Sequence, residues 1–384
     1  MLEGNGDFMI SVRLIRYFCN FVPQVALIAF ALTFISISHV KASEYTIGVY
    51  YYPGWSPGIK GPSLPDPWKP IYAYPEKKPY LGWYDDSRVK TLEQQLKWMH
   101  QYGIDFVAFD WYWENGRPAT ESSVGAYLKA PSKSKVKYAL LWANHGKIPN
   151  ARKQWEDMID YWLVQHLKNP EYLQIEGQPV VFIFSGDDLR DNARNDGTNT
   201  QTLLSIAQDK ARAKGLKGIY FVFSTPATEY WVKAFAIESN FSALSAYNYH
   251  FGITHTYVGG KYKETILPAS HSYKELDEGY RMQWQWILEN SKLPYFIPMT
   301  SGWDRRPWGG SKDPLHDNSM STPDEFEAHL QSAKSMMDSY PKKTKRMGLI
   351  CCWNEYGEGS YIEPTKEHGF SYLERLKAVF GGGN

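Results

Sequence analysis

The sequence predicts an α/β protein, a (β/α)8 barrel in a single domain. Three observations point there. Eight short apolar runs of strand character recur along the chain, amphipathic helical patterns lie between them, and no repeat, low-complexity tract or Gly/Ser linker divides residues 43–384. The competing α/β architecture is an open doubly wound sheet. That fold would ask for a glycine-rich phosphate turn after the first strand, and YYPGWSPG, from Tyr51 to Gly58, lacks the GxGxxG spacing.

In chain order, strands are expected at 45–53, 104–113, 136–145, 179–186, 218–225, 243–250, 294–304 and 347–356, each rich in β-branched or aromatic residues. The helical patterns carry their own boundary signals. From Asp86 to Tyr102, Val89, Leu92, Leu96 and Met99 share one face, and Gly103 suits a left-handed cap. At Thr322, Pro323 takes the first helical position and Glu325 completes a capping box. Further helices are expected at 150–168, 200–214, 272–291 and 369–379. The stretches Ser56–Tyr80 and His250–Tyr273 read as loops that shape the mouth of a cleft.

At the N-terminus, Arg13 and Arg16 precede an uncharged run from Phe21 to Ser38, and Val40-Lys41-Ala42 has the small-residue pattern of a cleavage site. We read residues 1–42 as a secretory signal peptide, with Met9 as a candidate start, and residues 43–384 as a secreted, periplasmic or extracellular domain. A single membrane anchor is the alternative, although Pro23 and Gln24 shorten the apolar part of the run. Past residue 42 only Cys351 and Cys352 remain. They offer neither a disulfide framework nor a metal-binding spacing, and are expected to be small buried hydrophobes.

The chain has 42 basic and 41 acidic residues, a net charge of +1, without the basic block that a nucleic-acid partner would require. It is unusually aromatic, at 16%, with 15 Trp and 28 Tyr. Such residues serve equally as core and as stacking platforms for sugar rings, so their positions decide between the two. In a barrel of this class the chemistry lies at the C-terminal ends of the strands. Those ends carry Tyr52; Asp110, Trp111 and Tyr112; Trp142, Asn144 and His145; Tyr247, Asn248, Tyr249 and His250; Trp303 and Asp304; and Trp353, Asn354 and Glu355. Polar and aromatic residues therefore gather at one end, which favours a sugar-binding cleft. Taken singly the same residues have plainer readings: Asp110 as a structural acceptor, His145 and His250 as satisfied rim histidines, Trp142 and Trp353 as caps on the core. No HxH or HExxH spacing suggests a metal, and no cofactor motif is present.

Two carboxylates stand three residues apart in CCWNEYGEGSYIEPT, at Glu355 and Glu358, with Gly357 and Gly359 flanking the second and Trp353, Tyr356 and Tyr361 around them. Residues three apart on a helical turn have Cβ atoms about 5–6 Å apart, close to the separation of roughly 5–5.5 Å between the two carboxyl groups of a retaining glycosidase. WNEYGEGSYIEPTKEHGFSYL closely resembles the signature of the WbsX-type domains, which belong with glycoside hydrolase family 99, the endo-α-mannosidases and endo-α-mannanases. The likeness continues in order through residues 82–113, 140–145, 301–307 and 322–330.

The resemblance implies a cofactor-free glycosidase of a polysaccharide or glycan. In that family's mechanism Glu355 would act as base toward the sugar 2-hydroxyl, giving a 1,2-anhydro sugar, and Glu358 as general acid/base at the leaving oxygen. It further implies that Tyr52 lines the subsite near the anomeric carbon and that Asp110, Trp142, Asn144, Tyr249, Trp303 and Asp304 bind sugar. Trp111, His145, Tyr247, Trp353 and Asn354, at the same strand ends, complete the candidate binding set. Tyr356-Gly357 between the glutamates is nearer to the WbsX branch, whose members are also described as glycosyltransferases. A glycosyltransferase and a non-catalytic glycan-binding protein are the alternatives.

Overall fold

Eight parallel strands form the barrel of the computed structural model, which describes residues 44–148, 150–259 and 261–381. The signal peptide read over residues 1–42 lies outside the described residues. The strands are β1 (Thr46–Tyr51), β2 (Phe106–Trp111), β3 (Lys137–Trp142), β4 (Gln178–Ile183), β5 (Tyr220–Ser224), β6 (Ala243–Ser245), β7 (Ile297–Thr300) and β8 (Met347–Cys351). Each falls within or beside an apolar run seen in the sequence. β1 pairs with β8 from Thr46 opposite Met347 and with β2 from Gly48 opposite Phe106. The ring closes between β6 and β7, where Leu244 N donates to Pro294 O at 2.8 Å and Phe296 N to Leu244 O at 2.9 Å. The expected (β/α)8 barrel is the fold.

The helices pack outside. They are α1 (Val89–Gln101), α2 (Glu121–Lys129), α3 (Ala151–Gln165), α4 (Gly186–Asn195), α5 (Thr200–Ala213), α6 (Tyr273–Asn290), α7 (Pro323–Ser339) and α8 (Ser371–Phe380). Leu92, Leu96 and Met99 of α1 are buried as their spacing demands, and Gly103 takes φ +85° just beyond its end. The capping box of α7 forms in full, with Glu325 N donating to Thr322 Oγ1 and Thr322 N to Glu325 Oε2. Helices α2 and α4 were not anticipated: α2, nine residues, carries Gly125 in its interior, and α4, ten residues, has few apolar side chains, so neither shows a clear helical period. The segment read as a loop from His250 to Tyr273 is instead mostly a hairpin, Phe251–Val258 against Lys261–Ala269.

Alternation along each strand decides what reaches the barrel interior. On β2, Asp110 faces inward, whereas Tyr51 of β1 and Phe109 of β2 meet on the helix side, ring centroids 5.0 Å apart, with the Tyr51 hydroxyl donating to Gln95 of α1. Cys351 and Cys352 correct an expectation: they are joined by a disulfide. β8 ends at Cys351, so the alternation that would send two neighbouring side chains to opposite faces no longer applies there.

Candidate functional site

Beyond β8 the chain doubles back on itself, with Asn354–Glu355 laddered against Ser360–Tyr361. Both acids lie on this short excursion, and Glu358 N donates to Glu355 O at 3.2 Å. Its two glycines are needed for different reasons. A Cβ on Gly357 would lie 1.9 Å from Trp308, so the backbone there serves as the bed of an indole. Gly359 holds φ +73°, and a Cβ there would lie 2.5 Å from Asp304 N. Glu363 anchors the return. It is buried and accepts from Tyr84 Oη at 2.7 Å, Tyr356 Oη at 2.9 Å and Gln95 Nε2 at 2.8 Å. Burial pushes its carboxyl up to about 7 despite those three donors. Asn354 brackets the Tyr52 backbone, accepting from its N–H at 2.9 Å and donating to its carbonyl at 3.0 Å.

Three carboxylates share one desolvated region. Tyr247 Oη donates to Asp110 Oδ2 at 2.9 Å and lies 3.5 Å from Glu355 Oε2. The other oxygens, Asp110 Oδ1 and Glu355 Oε1, are buried with no protein partner. Buried acceptors left open in this way are placed to take hydroxyl donors from a ligand. Burial, then the neighbouring charges of Glu358 and Asp110, hold Glu355 well above the usual carboxylate range. Burial also lifts Glu358 to about 7, with Arg305 pulling the other way. Like charges this close cannot all be ionised, so the cluster retains a proton at neutral pH.

These groups face a cavity of about 360 Å³ at the C-terminal end of the barrel. Its walls include Tyr52, Tyr112, His145, Phe184, Tyr247, Tyr249, His250, Trp303 and Trp308. Flat rings around a few polar groups suit a pyranose, whose C–H faces stack while its hydroxyls find acceptors. His250 is one such acceptor. His316 Nδ1 lies 2.9 Å from the Ser270 carbonyl, which can only accept, so this nitrogen carries the proton. In the neutral ring its Nε2 then accepts from His250 Nδ1 at 3.3 Å, leaving His250 Nε2 with a lone pair. Burial, with His316 alongside, holds His250 down at about 4, so it is neutral.

Of the residues singled out from sequence, Tyr52, Asp110, His145, Tyr247, Tyr249, Trp303, Glu355 and Glu358 line this cavity. Six others do not reach it. Trp111 and Trp142 alternate outward into the helix layer, against Trp162 and Trp155 respectively. Asn144 exchanges two 2.7 Å hydrogen bonds with the Ser185 backbone, and Asp304 is consumed by Lys77 at 2.8 Å and Arg306 at 2.7 Å. Trp353 is fully buried, and Asn354 acts through Tyr52. The sequence noted Tyr112, Asn248 and His250 at strand ends without assigning them a role. It gave no signal for Phe184, Trp308 or Lys60, and marked Arg305 only as part of the likeness over residues 301–307. Among the described residues no group of three or more His, Cys, Asp or Glu is arranged to hold a metal ion.

Residues 70–376 match the family described as Glycosyltransferase WbsX. The chain belongs to the WbsX family. Curated relatives are both named "Uncharacterized protein WxcX", from two strains of Xanthomonas campestris pv. campestris. One is 18% identical over 312 residues, 77% of this chain and 42% of the relative. The chain thus spans less than half the length of the curated relatives it matches. Among solved structures, the WbsX-family barrel resembles a glycoside hydrolase-like protein with a TM-score of 0.61 and 16% identity, covering 89% of this chain and 95% of that one. It also resembles the family 99 endo-α-mannosidase of Bacteroides thetaiotaomicron, with a TM-score of 0.59 and 13% identity over 88% and 96% of the two chains. At such identities these likenesses establish the fold.

Proposed function

We propose that this chain is an exported glycoside hydrolase that cleaves an α-linked bond, the mannosidic bond being one candidate, in a polysaccharide or glycan with retention of configuration. The observation that carries the reading is the pairing of Glu355 and Glu358 on one cavity, where burial raises both carboxyls, Glu358 to about 7, so that the pair can hold one proton and divide the roles of acid and base. In the first step Glu358 gives its proton to the leaving oxygen as the C1–O bond breaks. Glu355 takes the proton of the 2-hydroxyl as O2 closes onto C1, giving a 1,2-anhydro sugar. Water then opens that ring at C1, its proton passing to Glu358 while Glu355 returns a proton to O2. Both acids are thereby restored, and two inversions at C1 amount to retention.

The experiment is release of reducing ends from a panel of bacterial, algal and yeast glycans. Wild type is expected to yield product, with a loss of about 10²–10⁴ in rate for Glu355→Gln and Glu358→Gln while glycan binding persists. Binding without product in the wild type would refute hydrolysis. The family's description favours one other reading, transfer from an activated sugar donor, and activity that appears only when a nucleotide sugar is supplied would establish it.

A further inference from the structure

The cleft does not end at the acid pair. A second cavity of about 540 Å³ shares the walls Tyr52 and Tyr112 with the first and extends outward past Lys60 and the small hairpin formed by Trp113–Glu114 and Arg117–Pro118. Its lining is dominated by polar groups, and its charges are unequal in kind. Glu114 and Arg117 face each other across the hairpin at the exposed rim, where their charges balance. The net positive charge comes from Lys60.

Lys60 is in an unusual state for a lysine. Its ammonium sits 4.2 Å from the centroid of Trp308, 5.1 Å from Tyr52 and 5.5 Å from Trp55. Three rings stabilise a cation through their faces but accept no conventional hydrogen bond. Among the described residues no carboxylate lies within ion-pair distance of Lys60 and no acceptor receives its N–H groups. Lys60 is half-buried, its ammonium lying against the rings on one side and open to the cavity on the other. The nearest negative influence on it is Glu355, beyond direct contact. A cation so placed on a cleft wall has its N–H groups available to an anionic ligand.

We propose that this lobe is a subsite for an oxyanion borne by the bound glycan, the carboxylate of a uronic acid or a sulfate or phosphate ester, with Lys60 as the residue that selects it. That the anion belongs to a glycan rests on the hydrolase reading above; the anion site itself does not. Because Tyr52 and Tyr112 wall both lobes, the acidic residue of the glycan would be the neighbour of the sugar whose bond is cut. The preferred substrates are acidic polysaccharides.

The test compares the full chain with Lys60→Met, Lys60→Arg and, as a rim control, Arg117→Gln. Tryptophan fluorescence, sensitive here through Trp308 and Trp55, is followed as sodium sulfate or sodium acetate replaces sodium chloride at constant ionic strength. A saturable response is expected in the wild type, retained in Lys60→Arg, weakened no more than a few-fold in Arg117→Gln at the exposed rim, and weakened at least tenfold in Lys60→Met. Tighter sulfate than acetate points to an ester, the reverse to a uronate. No response, or one unchanged in Lys60→Met, overturns the subsite. A second arm measures reducing-end release from acidic glycans before and after carboxyl reduction or desulfation. Lys60→Met should raise KM at least tenfold for the acidic form only. Hydrolysis indifferent to both Lys60 and glycan charge would sink the subsite and leave the hydrolase standing. Lys60-dependent anion binding with no glycan cleaved would do the opposite. A shifted pH profile with anion affinity intact would make Lys60 merely a tuner of Glu355 and also overturns the proposal.

Discussion

Replacing Glu363 by glutamine should change how stability depends on pH, by an amount that follows from the structure. Burial holds the Glu363 carboxyl at about 7 in the folded protein against an ordinary value of 4.5. A carboxyl raised on folding binds its proton more tightly in the native state, so its stabilising contribution is complete below pH 4.5 and is lost as the pH rises through 7. A difference of about 2.5 units corresponds to about 3 kcal/mol lost by pH 8, at roughly 1.4 kcal/mol per unit. Glutamine cannot ionise, so Glu363→Gln removes that slope. It also turns one acceptor oxygen into an NH₂ group facing Gln95 or the two tyrosines, at a cost of about 1 kcal/mol for one misfit hydrogen bond. Urea unfolding at pH 5 and pH 8 would check this. The variant should match wild type within about 0.5 kcal/mol at pH 5, where roughly 0.8 kcal/mol of the wild-type contribution is already lost, and be about 2 kcal/mol more stable at pH 8. Parallel pH dependences in the two proteins would refute the claim that Glu363 is the buried acid responsible.

Arg305 opposes protonation of Glu358, so Arg305→Met should raise the Glu358 pKa and move the alkaline limb of the kcat/KM profile, expected near pH 7, to higher pH. Gly357→Ala would drive a methyl group into Trp308 and displace that wall of the cavity; steady-state kinetics should show a loss of about 10² in kcat/KM, the scale expected for a displacement of about 1 Å. Tyr247→Phe takes away the hydrogen bond that Asp110 receives, leaving both of its oxygens without a protein partner. A stability loss of about 1–3 kcal/mol by chemical denaturation is expected.

The barrel was legible because its strands are fully buried and therefore read as continuous apolar runs, while α1 and α7 carry an apolar stripe or a cap that a one-dimensional pattern can display. Short polar elements cannot announce themselves so: in α4, GDDLRDNARN, few side chains are apolar, and Ser185 capping the helix is its clearest signal. At the site, the acid pair was visible from spacing and from resemblance. The strand-end rule erred at Trp111 and Trp142, because it marks the position along the strand and is silent on which face a residue takes. Asp110 and Trp111 are neighbours in sequence, yet one faces the cavity and the other α3. Lys60 and Trp308 come from connecting segments, and only tertiary packing brings an ammonium over an indole. Asp304 looked like a ligand for sugar until Lys77, far away in sequence, was seen to neutralise it.

The bracket that Asn354 places on the backbone of Tyr52 spans 302 residues and joins the first barrel strand to the segment following the last. Contacts of such separation form late, since the intervening chain must be organised before they are rewarded. Tyr52, Asp110 and Glu355 consequently come into register only when the ring is shut. An intact candidate site is therefore a certificate of completed folding: a chain cut between its first and last strands would hold every one of these residues and yet lack the arrangement that brings them together.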